Sequence, residues 1–127
     1  MGLILDTNAL SAVADGEPTA VAAFSSATRI DIPVIVLGEY RFGIAWSRHR
    51  SEYERWLGEM LSASRVLEVS EETTRHYAAI RIELKRAGTP IPSNDVWIAA
   101  LSRQHALPVL SRDEHFDLIK GLRRRSW

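Results

Sequence analysis

The sequence contains no cysteine, which excludes disulfide bonds, thiolate catalysis and cysteine-ligated zinc sites. No apolar stretch approaches the roughly 20 residues that a membrane-spanning helix needs. The apolar segment at residues 3–5 is too short for a signal peptide, and it ends at Asp6, where a myristoylation motif requires Ser or Thr. We therefore expect a cytoplasmic protein with no membrane association.

The chain also lacks an excess of either charge, with 16 Lys or Arg residues and 16 Asp or Glu residues. This balance argues against a protein that binds nucleic acid through bulk positive charge. The charges are unevenly distributed, because residues 1–28 carry no Lys or Arg and residues 120–127 carry no acid. A basic rim around an acidic pocket is compatible with these totals.

Neither a glycine-rich phosphate loop nor a Gly-x-Ser-x-Gly nucleophile motif occurs in the sequence. The histidines show no spacing typical of a metal site, so we interpret them as surface or local structural residues. These are His49, His76, His105 and His115. Three tryptophans lie in helical apolar patterns and are interpreted as core or dimer contacts. These are Trp46, Trp56 and Trp97.

Short apolar runs alternate with longer helical patterns along the 127 residues, which fit one domain. The runs predict strands at residues 2–5, 31–34, 66–69 and 107–110. Helices are predicted at residues 18–27, 36–46, 52–63, 71–87 and 95–105, with Gly88 ending the fourth of them. Thr7 or Asn8 is expected to cap a helix after the first strand, and Ser93 or Asn94 the last helix. This alternation predicts an α/β domain with a mainly parallel sheet.

Four acidic residues stand at comparable places in this pattern. Asp6 and Asp113 follow apolar strands, whereas Glu39 and Asp95 lie near helix starts. Each acid alone is more typical of a turn, a cap or helix-dipole compensation. A parallel sheet, however, brings such positions to one edge, and four carboxylates sharing a site need a cation. Mg²⁺ or Mn²⁺ suits oxygen ligands, and one or two such ions would activate water for attack on a phosphodiester.

Four segments together resemble the PIN domain family, and closely its VapC-type toxins from toxin–antitoxin pairs. They are Leu-Asp-Thr-Asn at residues 5–8, Val-Leu-Gly-Glu at 36–39, Asn-Asp-Val-Trp-Ile-Ala-Ala at 94–100 and Ser-Arg-Asp-Glu-His-Phe-Asp at 111–117. Each segment is weak alone, but the four occur in order and span nearly the whole chain. The basic run at residues 123–125 departs from the more apolar final strand of the family, so a fifth strand stays open.

The resemblance implies a three-layer α/β/α sandwich over residues 1–127 that cleaves single-stranded RNA with Mg²⁺ or Mn²⁺. It also implies a homodimer that is held inactive by a cognate antitoxin protein. The acidic site it implies consists of Asp6, Glu39, Asp95 and Asp113, with Asp117 as an optional fifth acid. The same resemblance implies Thr7, Asn94 and Ser111 as supporting polar residues. Arg41 and Arg112 lie near these motifs and are candidates for binding RNA phosphates.

Two other classes of function are alternatives to this one. A phosphoaspartyl phosphatase on a parallel sheet requires a second Asp two residues after its nucleophilic Asp. If Asp6 were that nucleophile, the second Asp would be at position 8, which is Asn. A non-catalytic PIN-like module that binds RNA or protein is the remaining alternative. A missing acid would favour it, and all four acids of the site are present.

Overall fold

Five parallel strands form the central sheet, in the order β3-β2-β1-β4-β5. The computed structural model describes all of residues 1–127. The strands are β1 (Gly2–Leu5), β2 (Arg29–Pro33), β3 (Arg65–Leu67), β4 (Val109–Leu110) and β5 (Arg124–Arg125). Every neighbouring pair is parallel, which confirms the predicted fold class and makes the sheet wholly rather than mainly parallel.

Six helices and one short 3₁₀ helix surround this sheet. They are α1 (Thr7–Ala14), α2 (Pro18–Ser25), α3 (Val34–Ile44), α4 (Arg50–Ser62), α5 (Glu71–Ala87), α6 (Ser93–His105) and the 3₁₀ helix Glu114–Leu118. The chain steps from β1 to β2 to β3 in one direction and then returns to β4 on the other side of β1. Because parallel crossovers are right-handed, this reversal puts α5 and α6 on the opposite face from α1–α4. None of the helices is both long enough and apolar enough to cross a lipid bilayer.

The structure corrects two predicted helix caps. Asp6, rather than Thr7 or Asn8, caps α1, and its side chain accepts a hydrogen bond from the Thr7 backbone N–H. Helix α6 begins at Ser93 directly after Pro92, so neither Ser93 nor Asn94 caps it. The fixed φ of proline prepares the chain for the first helical turn without a side-chain cap. By contrast, α5 has its predicted bounds and ends at Gly88, whose φ of 70° closes the helix in the left-handed conformation.

The basic run near the carboxyl terminus forms the fifth strand. Val109 N–H donates to the Arg123 carbonyl and Ser111 N–H to the Arg125 carbonyl, both at 2.9 Å. These backbone bonds do not depend on apolar side chains, and an edge strand tolerates charged residues. The terminal segment is therefore part of the sheet, next to the strand that precedes Asp113.

The core lies on both faces of the sheet. The side chains of β1 at residues 3–5 are completely buried, as expected for a central parallel strand covered by helices on both sides. Trp56 and Trp97 are partly buried, and Trp97 stacks on Tyr77 with ring centres 3.8 Å apart. Trp46 is 88% exposed, so its interpretation as a core residue is wrong for this chain, while a dimer contact stays a prediction.

A buried carboxylate in β2 is a further structural feature. Asp31 is completely buried and accepts hydrogen bonds from Arg29 Nε at 3.1 Å and Arg65 Nε at 2.6 Å. A Cβ atom on Gly2 would lie 2.6 Å from Asp31 Oδ2. Glycine at this position of β1 therefore leaves the space that the ion pairs occupy.

Candidate active site

The carboxyl ends of β1 and β4 meet where the sheet reverses its direction of winding. Ligands of such sheets bind at this switch point. Asp6 follows β1 and donates its backbone N–H to the Leu110 carbonyl of β4 at 3.1 Å. Helix α6 leads into the amino end of β4, so its first turn, which contains Asp95, lies at the same edge as Asp6.

Asp6 is the most buried acid of the site, with only 4% of its surface exposed. Its Oδ2 accepts a 2.6 Å hydrogen bond from Ser111 Oγ, and its Oδ1 accepts one of 2.8 Å from Thr7 N–H. Burial raises the pKa of Asp6, and the charges of Asp113 and Glu39 raise it further, although the Ser111 and Thr7 hydrogen bonds oppose this. A positive charge placed near Asp6 would therefore favour its charged form.

Ser111 joins Asp6 to the segment that carries Asp113. Its Oγ donates to Asp6 and accepts the backbone N–H of Asp113 at 2.9 Å. The Asn8 amide reaches the same two side chains, with its Nδ2 3.4 Å from both Asp6 Oδ2 and Ser111 Oγ. These polar side chains fix Asp6 against the start of the 3₁₀ helix.

Asp95 and Asp113 form a second pair of carboxylates. Burial raises the pKa of Asp95 to about 6, and the charges of Asp113 and Asp6 add to this, while a hydrogen bond from His115 opposes it. Asp113 caps the 3₁₀ helix, because its Oδ1 accepts the backbone N–H of His115 at 2.9 Å. Repulsion among these carboxylates marks a site that a cation would stabilise.

Glu39 is joined to the cluster through Thr7. Helix α3 begins at Val34, so Glu39 lies in its second turn, and Thr7 Oγ1 donates to Glu39 Oε1 at 2.9 Å. The Thr7 backbone N–H also donates to Asp6 Oδ1. Thr7 thus links Glu39 to Asp6, and Ser111 links Asp6 to Asp113. Asp95 is close enough to Asp113 and Asp6 for their charges to raise its pKa.

An open groove of about 310 Å³ extends from Glu39 and Thr7 between α1, α3 and α4. Tyr40 lines it, and its hydroxyl is buried with no hydrogen-bond partner. Burial raises the pKa of Tyr40 to about 12, with nearby Tyr53 and acidic charges adding to the effect. The acidic cluster is therefore open to solvent through this groove at Glu39 and Thr7.

His115 contacts two of the predicted acids, which the sequence did not indicate. Its Nδ1 lies 3.1 Å from Asp95 Oδ2 and 3.0 Å from Asp113 Oδ1. The hydrogen bond to Asp95 raises the pKa of His115. Its one sequence signal is its place two residues after Asp113. Metal sites are usually indicated by paired histidines, and His115 is a single histidine among carboxylates.

Other predicted residues lie at the edge of this cluster. Both carboxylate oxygens of Asp117 accept hydrogen bonds from Arg124, at 2.9 and 2.8 Å, and this contact lowers the pKa of Asp117. Asn94 is exposed in the first turn of α6. Arg41 is exposed and lies 3.8 Å from Glu54 on α4.

Arg112 lies between Ser111 and Asp113 and is already engaged within the chain. Its Nη2 donates to Glu17 at 2.8 Å, and its guanidinium lies 4.7 Å from the ring centre of Trp127. The side chain is still 51% exposed, so a positive charge faces solvent beside the acidic cluster.

The donor set fits a hard divalent cation. Carboxylate oxygens are the ligands that Mg²⁺ and Mn²⁺ prefer. Burial raises the pKa of Asp6 and Asp95, and the charges of neighbouring carboxylates add to it, so a bound cation would favour their charged forms.

Comparison with known proteins gives a consistent result. The family model described as PIN domain matches residues 3–122. The VapC ribonuclease Y4jK of Sinorhizobium fredii is 34% identical over 121 residues, covering 87% of this chain and 86% of that protein. Ribonuclease VapC5 of Mycobacterium tuberculosis is 29% identical over 120 residues, covering 93% of this chain and 87% of that protein.

Solved structures agree in fold. The crystal structure of DNA-bound VapBC from Salmonella typhimurium contains a chain that is 26% identical, with a TM-score of 0.87 and coverage of 100% of this chain and 98% of that one. FitAB bound to a DNA fragment gives a TM-score of 0.84 at 27% identity, with coverage of 98% and 94%. The matched model, the relatives and the sheet-edge cluster of acids together show that the chain belongs to the PIN domain family.

Proposed function

We propose that this protein is a metal-dependent endoribonuclease and the toxin of a toxin–antitoxin pair. The observation that carries the proposal is that four carboxylates lie together at the switch point of the sheet. Asp6 is buried there, and Ser111 and Thr7 link it to its neighbours by hydrogen bonds. The relatives named as VapC ribonucleases support the reaction and its class of substrate.

Asp6, Glu39, Asp95 and Asp113 would hold one or two Mg²⁺ or Mn²⁺ ions. Such an ion, when bound, lowers the pKa of water and neutralises charge on a phosphodiester. Ser111 and Thr7 hold Asp6 in place by hydrogen bonds, and Thr7 also orients Glu39. Their role is to keep the carboxylates in one arrangement before substrate arrives.

The site fits single-stranded or looped RNA better than a duplex. The acids are recessed at the edge of the sheet, and a flexible strand can bring one phosphate to them. Arg112 presents a half-exposed positive charge next to Asp113, and we propose it as a phosphate contact. Arg41, which is exposed on α3, is a second candidate.

The proposed partner is a cognate antitoxin, and the proposed assembly is a homodimer. Structures of VapBC from Salmonella typhimurium and of FitAB are described as complexes, both bound to DNA. A cluster of acids is also a suitable binding site for an arginine side chain of an inhibitor. Because its substrate would be cellular RNA, we propose the cytoplasm as the place of action.

The direct test is cleavage of a panel of labelled structured RNAs with Mg²⁺, Mn²⁺ or EDTA. Wild-type protein should cleave with metal and not with EDTA, while folded Asp6→Asn and Asp95→Asn should lose the activity. Glu59→Gln, an exposed acid of α4, is the matched control and should cleave like wild type. Equal cleavage by Asp6→Asn would contradict the assignment, and metal binding without cleavage of any RNA would favour the non-catalytic module.

The toxin role is tested separately. Induced wild-type protein should arrest growth of a bacterial host, and induced Asp6→Asn should not. Growth arrest by both proteins at equal levels would show that the effect does not come from the acidic site.

A further inference from the structure

The His115 ring contacts two of the carboxylates that we propose as metal ligands. Its Nδ1 is 3.1 Å from Asp95 Oδ2 and 3.0 Å from Asp113 Oδ1. One ligand atom from each of the three side chains falls within 4.8 Å of the others. No other histidine of the chain is part of such a group.

We propose that His115 supplies a nitrogen ligand to the divalent ion, alongside Asp95 and Asp113, and thereby selects Mn²⁺ over Mg²⁺. The inference rests on the proposed metal-dependent function and adds a ligand and an ion preference to it. The site is then a mixed nitrogen and oxygen site rather than a purely carboxylate one.

The distances agree with this role. Neighbouring ligands of an octahedral ion with bonds of about 2.1 Å lie about 3.0 Å apart. The two contacts of His115 Nδ1 have this length.

The backbone around His115 is held firmly. Asp113 accepts the backbone N–H of His115, and the next residue, Phe116, is completely buried in the core. The His115 side chain itself is 47% exposed, so the ring edge away from the acids can hydrogen-bond water. Nδ1 donates to Asp95 in this structure. An ion bound at Nδ1 would replace that proton and leave the ring proton on Nε2.

A simple ion pair explains the same distances, but it predicts different behaviour. Exposed ion pairs stabilise proteins weakly, and a histidine that only neutralises the acids would leave when a divalent ion enters. A ligand stays and coordinates the ion. Mg²⁺ prefers oxygen ligands, whereas imidazole is a common ligand of first-row transition metals.

The test uses Mn²⁺ itself as the probe. Electron spin echo envelope modulation of the Mn²⁺-loaded protein should show coupling to one directly bound ¹⁴N nucleus. His115→Gln should abolish this coupling and weaken Mn²⁺ binding by about tenfold or more in calorimetry. It should change Mg²⁺ binding much less, because that ion depends on the carboxylates.

His76→Gln is the matched control. His76 lies one turn after Thr73, which contacts Gln104 at the far end of α6. Asp95 and Gln104 are nine residues apart in that helix, roughly 13 Å. The ¹⁴N coupling and the Mn²⁺ affinity of this variant should equal those of wild type.

The outcomes separate the two proposals. Tight Mn²⁺ binding without ¹⁴N coupling, or coupling that persists in His115→Gln, overturns the role of His115 and leaves the nuclease proposal intact. If the wild-type protein binds neither Mn²⁺ nor Mg²⁺, the metal site and the proposed function fail together.

Discussion

Asp95→Asn should inactivate the protein and at the same time make its metal-free form more stable. The Asp95 side chain is 14% exposed, and burial with the charges of Asp113 and Asp6 raises its pKa from 3.8 to about 6. Asparagine has nearly the same shape and carries no charge, so it resembles the protonated acid. The substitution therefore removes the cost of burying a charge, and its repulsion by Asp113 and Asp6, without creating a cavity.

The magnitude follows from the pKa. Raising the pKa of an acid from 3.8 to about 6 destabilises its charged folded form by about 3 kcal/mol, since each tenfold costs about 1.4 kcal/mol. Solvent screening at this partly exposed site reduces the effect, so we expect about 1–3 kcal/mol in the free energy of unfolding. For a chain of this size the Tm should rise by about 4–12 °C.

The pH dependence has a defined sign. Between pH 3.8 and about 6 the folded protein binds the Asp95 proton more tightly than the unfolded chain does. The contribution of Asp95 to stability therefore falls as pH rises through this window and is fully lost above it. The advantage of Asp95→Asn should accordingly be small near pH 4 and full at pH 8.

The assay is thermal or urea unfolding in EDTA at both pH values, followed by unfolding at pH 8 with Mn²⁺. The ion should stabilise wild type more than the variant and narrow the difference between them. Glu59→Gln controls for removal of an ordinary exposed acid and should change little. If Asp95→Asn is no more stable than wild type in EDTA at pH 8, the cluster is not under electrostatic strain and the reasoning is refuted.

Three further predictions concern residues outside the four acids. Asp117→Asn should leave the Mn²⁺ dissociation constant unchanged in calorimetry, because Arg124 already binds both carboxylate oxygens, and a clear loss of affinity would return Asp117 to the metal site. Tyr40→Phe should keep or raise the free energy of unfolding by up to about 1 kcal/mol, because its buried hydroxyl has no partner; a measured loss would reveal one. Gly2→Ala should lower that free energy by about 1–3 kcal/mol in urea unfolding, since its Cβ would press on Asp31, and an unchanged midpoint would show that the ion pairs move freely.

The parallel α/β fold could be predicted because its signals are local. Apolar runs, the helical periodicity of α5 and the glycine at its end need only neighbouring residues to be interpreted. The N-caps at Asp6 and Pro92 could not be predicted, because several neighbouring residues at each helix start can act as the cap. Tertiary contacts decide which of them does. The strand at Arg124–Arg125 was left open since its stability comes from backbone pairing with β4, which side-chain pattern does not record.

The four acids could be named as candidates because Asp6, Asp95 and Asp113 follow strands or start a helix, Glu39 lies early in a helix, and the four motifs resemble the PIN domain family. Their connections could not, since Ser111 reaches Asp6 across 105 positions of the chain and Thr7 reaches Glu39 across 32. His115 was missed for the same reason. Its contact with Asp95 depends on how the 3₁₀ helix packs against α6.

The most direct test of the central claim is the chemistry of the RNA ends that the purified protein produces. Water attack in an ion-loaded carboxylate site leaves a 5′-phosphate and a 3′-hydroxyl, and it does not need the 2′-hydroxyl of the cleaved nucleotide. We predict these ends with Mn²⁺ or Mg²⁺, continued cleavage when that nucleotide is 2′-deoxy, and no product from Asp6→Asn or in EDTA. A 2′,3′-cyclic phosphate, or cleavage that persists in EDTA, would contradict the account.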